Sequence, residues 1–305
     1  AQFIKDGMTV GMSGFTRAGE AKAVPLALIK QAEENPLKIT LITGASLGND
    51  LDKKLTEAGV LARRLPFQVD NTLRKAINKG EVMFIDQHLS ETVEQMRNQQ
   101  LKKPDVAVIE AVAITEDGGI IPTTSVGNSA SFAIFAKEVI VEINTNLSPA
   151  FEGLHDIYIP SYRPTRQPIP LTQIDERIGT QAIQIDPAKI VGIVFNNELH
   201  DSPSTVTAPD DETQSIANHL IAFFEKEVET GRLPSNLGPL QAGIGSIANA
   251  VLTGLKDSNF EDLIMYSEVL QDCTFELIDA GKMKFASGSS ITLSAKYGEK
   301  VFNNI

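Results

Sequence analysis

Residues Leu240–Cys273 read LQAGIGSIANAVLTGLKDSNFEDLIMYSEVLQDC, and the rest of the chain is arranged around them. A short apolar run enters Gly243-Ile244-Gly245. A helical pattern with Ala248, Val251, Leu252 and Leu255 on one face follows, and a second apolar run, Leu263-Ile264-Met265-Tyr266, then meets Ser267 and Glu268. The pattern predicts strand, glycine turn, helix, strand, with Glu268 at the carboxyl end of the last strand. Ligands of open α/β sheets bind at that edge.

Glu268 there could be a base, a metal ligand, a nucleophile or a solvated rim charge. No histidine or carboxylate cluster accompanies it, which argues against a metal. A glutamate is ionised at neutral pH and could attack an activated acyl group without a base. The amides of Ile244 and Gly245, at a glycine turn before a helix, could then serve as an oxyanion hole. A lone Gly-X-Gly turn is common and often only structural.

Working outward, the amino-terminal part alternates strands and helices: Met8–Met12, then a helix over Lys22–Glu34, then Ile39–Ile42 ending at Gly44. Later elements include a helix capped by Ser90 and apolar strands over Asp105–Ile114 and Val139–Ile143. Such alternation predicts a parallel or mixed sheet covered on both faces. Residues 144–209 are proline-rich and predict ordered, irregular wrapping with one strand at Ile190–Phe195. Asp210 caps an amphipathic helix ending near Gly231. The stretch from Val10 to Gly44 and the stretch from Gln241 to Glu268 share element order and an Ala-Val pair in the helix, which predicts two tandem α/β units. The units are residues 1–231 and 232–305, the second cut short.

Two further stretches are candidate ligand loops: Gly14-Phe15-Thr16 within a glycine-rich segment whose basic groups are Arg17 and Lys22, and Ser125, Gly127 and Asn128 before a helix. Each pattern also occurs as plain turn or cap. His155 and His200, in the irregular region, read as structural or exposed rather than catalytic, and Cys273, with no histidine nearby in sequence, does not read as a thiol nucleophile. The chain of 305 residues carries a net charge of −12, against a general nucleic-acid binder. One cysteine excludes an internal disulfide and fits a reducing, cytoplasmic setting. No apolar run reaches membrane-spanning length, and no leader is read at AQFIKDGMTV, whose missing initiator methionine is read as trimming.

The motifs GMSGFTRAGEAKAVPLAL, FEGLHDIYIP, NLGPLQAGIGSIANAVL, MYSEVLQD and GKMKFASGSSITLS together resemble the acetyl-CoA hydrolase/transferase family, the class I CoA-transferases typified by succinyl-CoA:acetate CoA-transferase. The resemblance spans the chain. It implies two tandem CoA-transferase α/β units with the active site between them. The family's nucleophile maps onto Glu268, and its glycine-turn motif onto Gly243, Ile244, Gly245 and Asn249. It further implies that Glu268 attacks an acyl-CoA thioester to form a mixed anhydride, and that CoA returns to give an enzyme–CoA thioester, which an incoming carboxylate reverses. The expectation is therefore transfer of CoA between an acyl-CoA and a small carboxylate. Coenzyme A is then a substrate, no cofactor is permanently bound, no metal is used, and a homodimer is the default assembly. Acyl-CoA hydrolysis is the near alternative, a non-catalytic CoA-binding fragment another, and a sugar-phosphate isomerase a distant third. The family's later motifs, of the ISNHPE, GGSGDF and EQG kinds, do not occur in these residues. The loop, often GFTPAGYPKAVP in the family, here has Arg17, Glu20 and Ala21 at its variable places.

Overall fold

The computed structural model describes residues 1–197, 199–204 and 208–305. The chain divides into two compact units. One holds residues 1–169, 178–202 and 302–305; the other holds 170–177 and 203–301.

In the first unit the elements are β1 (Thr9–Met12), α1 (Ala23–Glu34), β2 (Ile39–Ile42), α2 (Leu51–Glu57), β3 (Leu61–Leu65), α3 (Asn71–Asn78) and β4 (Met83–Phe84). They continue with α4 (Leu89–Arg97), β5 (Val106–Ile114), β6 (Ile120–Pro122), α5 (Ser129–Phe135), β7 (Glu138–Asn144) and β8 (Ile190–Asn196). The sheet has the order β4-β3-β2-β1-β5-β7-β8 and is parallel throughout this path, with β6 antiparallel on β5. Runs such as Val106–Val112, apolar except for Glu110 and buried along their length, are what a parallel sheet covered on both faces requires. Strands β1 to β4 grow to one side, and the chain then returns to lay β5 on the other side of β1. The carboxyl ends of β1 and β5 are thus a topological switch point, where an open α/β sheet opens a crevice.

The helix expected from Ser90 starts instead at Leu89, with His88 at its N-cap and no side-chain cap bond. Between β7 and β8 there are two short 3-10 turns, Pro149–Phe151 and Pro187–Lys189, in otherwise irregular chain. Glu198 and Thr205–Thr207, in the proline-rich stretch, lie outside the described residues.

The second unit contains α6 (Asp211–Glu229), β9 (Pro239–Leu240), α7 (Ser246–Lys256), β10 (Leu263–Leu270), α8 (Asp272–Asp279), β11 (Met283–Ile291) and most of α9 (Ala295–Phe302). Asp210 caps α6 as expected, accepting from the Thr213 amide at 2.8 Å. That helix does not close the first unit at residue 231. Its stripe of Ile221, Phe224 and Val228 packs with Leu255, Leu263 and Leu277, so the division falls ahead of it. The sheet is parallel with order β11-β10-β9. The runs β1-α1-β2-α2-β3 and β9-α7-β10-α8-β11 have the same element order, strand direction and strand order.

Candidate functional site

Two groups of residues qualify, one in each unit. In the second unit, the register Met265↔Leu240 places the chain after β9 beside the second half of β10. Ser267 fastens it there: its Oγ donates to the Ala242 carbonyl at 3.0 Å and accepts from the Ala242 amide at 3.2 Å. Gln271 adds a bond from Nε2 to the Gly243 carbonyl at 3.3 Å. Gly243, Ile244 and Gly245 are therefore held alongside the strand that carries Glu268. Strand β10 alternates: Met265, Ser267 and Val269 are buried, and Tyr266 and Glu268 are exposed on the other face.

The apolar run in the sequence predicts a strand that ends at Ser267-Glu268. The strand runs on to Leu270, so Glu268 is an interior residue of its open face. Among the described residues, the amides of Ile244 and Gly245 donate to no protein acceptor. Gly245 has φ +155 and N-caps α7, and a Cβ at Gly243 or Gly245 would meet nothing within 4 Å. Glycine is thus not imposed here by neighbouring atoms of its own unit; it leaves the backbone bare and approachable. Asn249, on α7, accepts from the Cys273 thiol at 3.6 Å, and burial pushes that thiol up to about 11, which disfavours a thiolate.

In the first unit, the two sequence-predicted loops meet at the switch point. Phe15 and Ala18 pair in both directions, Phe15 N to Ala18 O at 2.9 Å and the reverse at 3.2 Å, closing a two-residue hairpin turn. Its central residues Thr16 and Arg17 have φ +53 and +67, unusual for any residue with a side chain and most of all for a β-branched one. Gly127 packs on Phe15, where a Cβ would come within 3.1 Å of the Phe15 Cβ, and Ser125 Oγ donates to the Ala18 carbonyl at 2.8 Å. Gly14, Phe15 and Ser125 are buried, whereas Thr16, Gly127 and Asn128 are half-buried. The first three shape the loop; the others are the ones on its accessible side.

Beneath this loop lies a charge cluster that the sequence reading missed. Lys22, one of the two basic groups of that candidate ligand loop, is buried. Its Nζ lies 2.6 Å from Glu110 Oε1 and 2.7 Å from Asp201 Oδ1, and donates to the Glu20 carbonyl at 2.7 Å. Asp201 also accepts from the Gly19 amide at 3.1 Å and from Thr124 Oγ1. Glu110 is further bound by Thr123 Oγ1 at 2.7 Å and Asn144 Nδ2 at 3.0 Å.

Burial and then the Asp201 charge push the Glu20 carboxyl up to about 8; burial, opposed by Lys22, takes Glu110 to about 7. For Lys22, burial works against the charge, but Asp201 and Glu110 outweigh it and raise its pKa. Next to the cluster, Glu142 accepts from the amides of Lys22, Ala23 and Val24 at 2.8, 2.9 and 3.0 Å, and so serves as the N-cap of α1 from a neighbouring strand. One signal for these acids was present: Glu110 and Glu142 each interrupt an apolar strand, where an ionisable residue is buried only with partners.

Among the described residues no group of three or more metal-ligating side chains occurs, and no helix is long and apolar enough to cross a membrane.

Comparison with known proteins gives a consistent result. The family profile described as "Acetyl-CoA hydrolase/transferase N-terminal domain" matches residues 1–195. The chain is 45% identical over 296 residues to the succinyl-CoA:acetate CoA-transferase of Clostridium kluyveri, covering 96% of this chain and 55% of that protein. It is 44% identical over 313 residues to the acetyl-CoA hydrolase of Schizosaccharomyces pombe, covering 99% of this chain and 60% of that one. It thus spans somewhat over half the length of these relatives. Among solved structures, RipA from Yersinia pestis aligns over 99% of this chain and 64% of its own with a TM-score of 0.69 at 17% identity. A 4-hydroxybutyrate CoA-transferase from Porphyromonas gingivalis aligns over 99% and 63% with a TM-score of 0.59 at 18% identity. At these identities the two structures speak for the fold.

Proposed function

The chain belongs to the acetyl-CoA hydrolase/transferase family, and from that premise we propose that it carries the nucleophile of a CoA-transferase, which moves CoA between an acyl-CoA and a small carboxylate. The observation that carries this reading is the juxtaposition on β10: an exposed carboxylate, Glu268, beside a glycine turn whose Ile244 and Gly245 amides have no acceptor among the described residues. A carboxylate attacking a thioester needs no base, because it is already ionised at neutral pH. It needs donors for the oxyanion that develops on the attacked carbonyl, and bare amides at a helix N-terminus are of the right kind.

In this reading Glu268 attacks the acyl-CoA carbonyl, the thiolate leaves, and the product is a mixed anhydride. CoA thiolate then attacks the glutamyl carbonyl, releasing the carboxylate and leaving a glutamyl–CoA thioester. A second carboxylate reverses both steps and departs as acyl-CoA. Thioester energy is retained throughout, so no ATP is consumed. Coenzyme A is a substrate here, and acetate, succinate or propionate are carboxylates of the right class. A homodimer and a cytoplasmic setting belong to the same proposal, as do Gly243, Asn249, Gly14, Phe15, Thr16, Ser125, Gly127 and Asn128 as substrate-side residues.

The second reading is hydrolysis of acetyl-CoA, favoured by the name of one of the two kinds of curated relative. The two differ in acceptor. Thioester loss that requires an added carboxylate supports transfer; equal loss in its absence supports hydrolysis. The common premise is tested by treating the protein with acetyl-CoA, trapping with borohydride and mapping the modified peptide. The adduct is expected on Glu268 and absent from Glu268→Gln. Exchange or hydrolysis that proceeds with Glu268 unmodified, or in the Gln variant, overturns it.

A further inference from the structure

The first unit holds a second concentration of charge that shares no residue with the clusters above. It joins α4 to the proline-flanked stretch Ser161–Pro168. Glu94 of α4 is met there by three guanidinium groups. Arg166 donates through Nη1 to Oε1 at 3.0 Å, Arg97 donates through Nη1 to the same oxygen at 3.2 Å, and Arg163 Nε lies 3.7 Å from Oε2. Three guanidinium groups against one carboxylate leave an excess of two positive charges, in a chain whose net charge is −12.

The donors outnumber the acceptors as well. A guanidinium carries five N–H groups, and a carboxylate offers two oxygens. Arg97 finds one more acceptor, the Ser161 carbonyl at 3.4 Å, and its guanidinium carbon lies 5.4 Å from the centre of the Tyr162 ring. Its side chain is only 3% exposed, yet its Nε is buried without an acceptor among the described residues. An unmet donor in such a place is costly to the fold. The side chains of Arg163 and Arg166 are 65% and 30% exposed, so these two guanidinium groups are accessible from solvent, while Arg97 lies beneath them. Pinning the Ser161–Pro168 stretch to α4 accounts for one arginine on Glu94; it leaves the other two and the buried Nε unexplained.

We infer that Arg97, Arg163 and Arg166 form a binding site for a phosphate-bearing anion. A phosphate dianion matches the excess of two charges, where a carboxylate would offset one. Its oxygens suit the fork of a guanidinium, and bidentate Arg–phosphate pairs are the strong kind of charge-assisted bond. Glu94 holds the three side chains together while the site is empty and competes with the ligand for their donors. The phosphate can belong to the nucleotide end of an acyl-CoA or to a free phosphorylated small molecule. Every group of the site lies in the first unit, and the site stands whether or not Glu268 is the nucleophile.

Calorimetric titration of the protein with inorganic pyrophosphate at constant ionic strength tests it, with chloride as the control anion. Saturable binding is expected, weakened about ten-fold by Arg163→Ala and further by the Arg163→Ala/Arg166→Ala double variant, as loss of charge-assisted bonds implies. Arg163→Lys, which keeps the charge and loses the fork, is expected between wild type and Arg163→Ala. Glu94→Gln separates a binding site from a structural staple: it removes the competing carboxylate and is expected to tighten pyrophosphate binding, while lowering the melting temperature. Wild-type protein that takes up no pyrophosphate at about millimolar concentration overturns the inference. So do Arg163→Ala and double variants that fold, by circular dichroism, and bind as wild type. Competition assigns the source. Displacement by coenzyme A but not by 3′-dephospho-coenzyme A points to the nucleotide phosphate, and displacement by neither points to a free phosphorylated molecule.

Discussion

Lys22 is buried against Glu110 and Asp201, with the Glu20 carboxyl also in the cluster and the Glu142 carboxylate on the amides just beyond. Three acids sharing one cation cannot all be ionised without cost, and Glu20 and Glu110 answer by holding protons. Their folded values, about 8 and about 7, lie above the ordinary 4.5. The folded chain thus binds protons that the unfolded chain has lost, and that contribution is complete below about pH 4.5 and disappears as pH rises through 7 and 8. Thermal melts across this window are expected to fall by several degrees toward the alkaline side. Glu20→Gln is expected to flatten the slope, and an unchanged slope would refute the assignment. A second residue-scale expectation concerns Gly44, at the end of β2. A Cβ there would lie 2.6 Å from the Gly14 carbonyl oxygen, an atom of the backbone that cannot rotate away. Gly44→Ala is expected to cost about 1–3 kcal/mol in denaturant unfolding and to displace the Phe15 loop. Little of this was legible in the chain itself beyond the interruption of two apolar strands by Glu110 and Glu142. The sequence shows that Glu20, Lys22, Glu110 and Asp201 are charged; the crossing of β5 beside β1 and the return of the chain after β8 bring them together.

At the level of elements, α1 depends on a cap that comes from another strand. Its N-cap residue, Lys22, makes no side-chain cap bond, and Glu142 of β7 receives the three first amides instead. Glu142→Gln keeps the shape but loses the charge and one acceptor, and is expected to cost about 1–3 kcal/mol; Glu142→Leu, which strands two buried donors and a half-buried one, should cost more. Equilibrium urea unfolding measures both, and a loss under about 0.5 kcal/mol for the leucine variant would contradict the cap. The strands and helices themselves were largely readable, because apolar runs and helical spacing are local signals. Two boundaries were not. Ser267-Glu268 looked like a strand end because polar residues follow an apolar run, whereas Tyr266 and Glu268 are the exposed face of an alternating strand. The stripe of α6 predicted an amphipathic helix correctly, but a stripe does not say which core it covers; Leu255, Leu263 and Leu277 do. The site was readable to a similar degree. The Gly243–Gly245 turn and Glu268 could be paired from sequence, and the meeting of Gly127 with Phe15 could not, since it joins positions far apart in the chain.

Over the whole molecule, the division into two units follows from where apolar side chains gather. Ile39, Leu41 and Val106 belong to a core of the first unit, and Leu255, Leu263 and Leu277 to a core of the second; each set is buried among residues of its own unit. A cavity cut into one core should therefore loosen that unit ahead of the other. Leu277 is fully buried, and Leu277→Ala is expected to remove about 2–5 kcal/mol from the unit that holds it. Leu41, also fully buried, is the matching position in the first unit. Hydrogen exchange read by mass spectrometry distinguishes the outcomes, because local opening free energies differ between cooperative units. For Leu277→Ala, faster exchange is expected in residues 211–301 and unchanged exchange in β1, β2 and β5. Leu41→Ala should give the reverse. Equal acceleration across both units in either variant would mean that the chain opens as one cooperative body, and that the separate cores do not unfold separately.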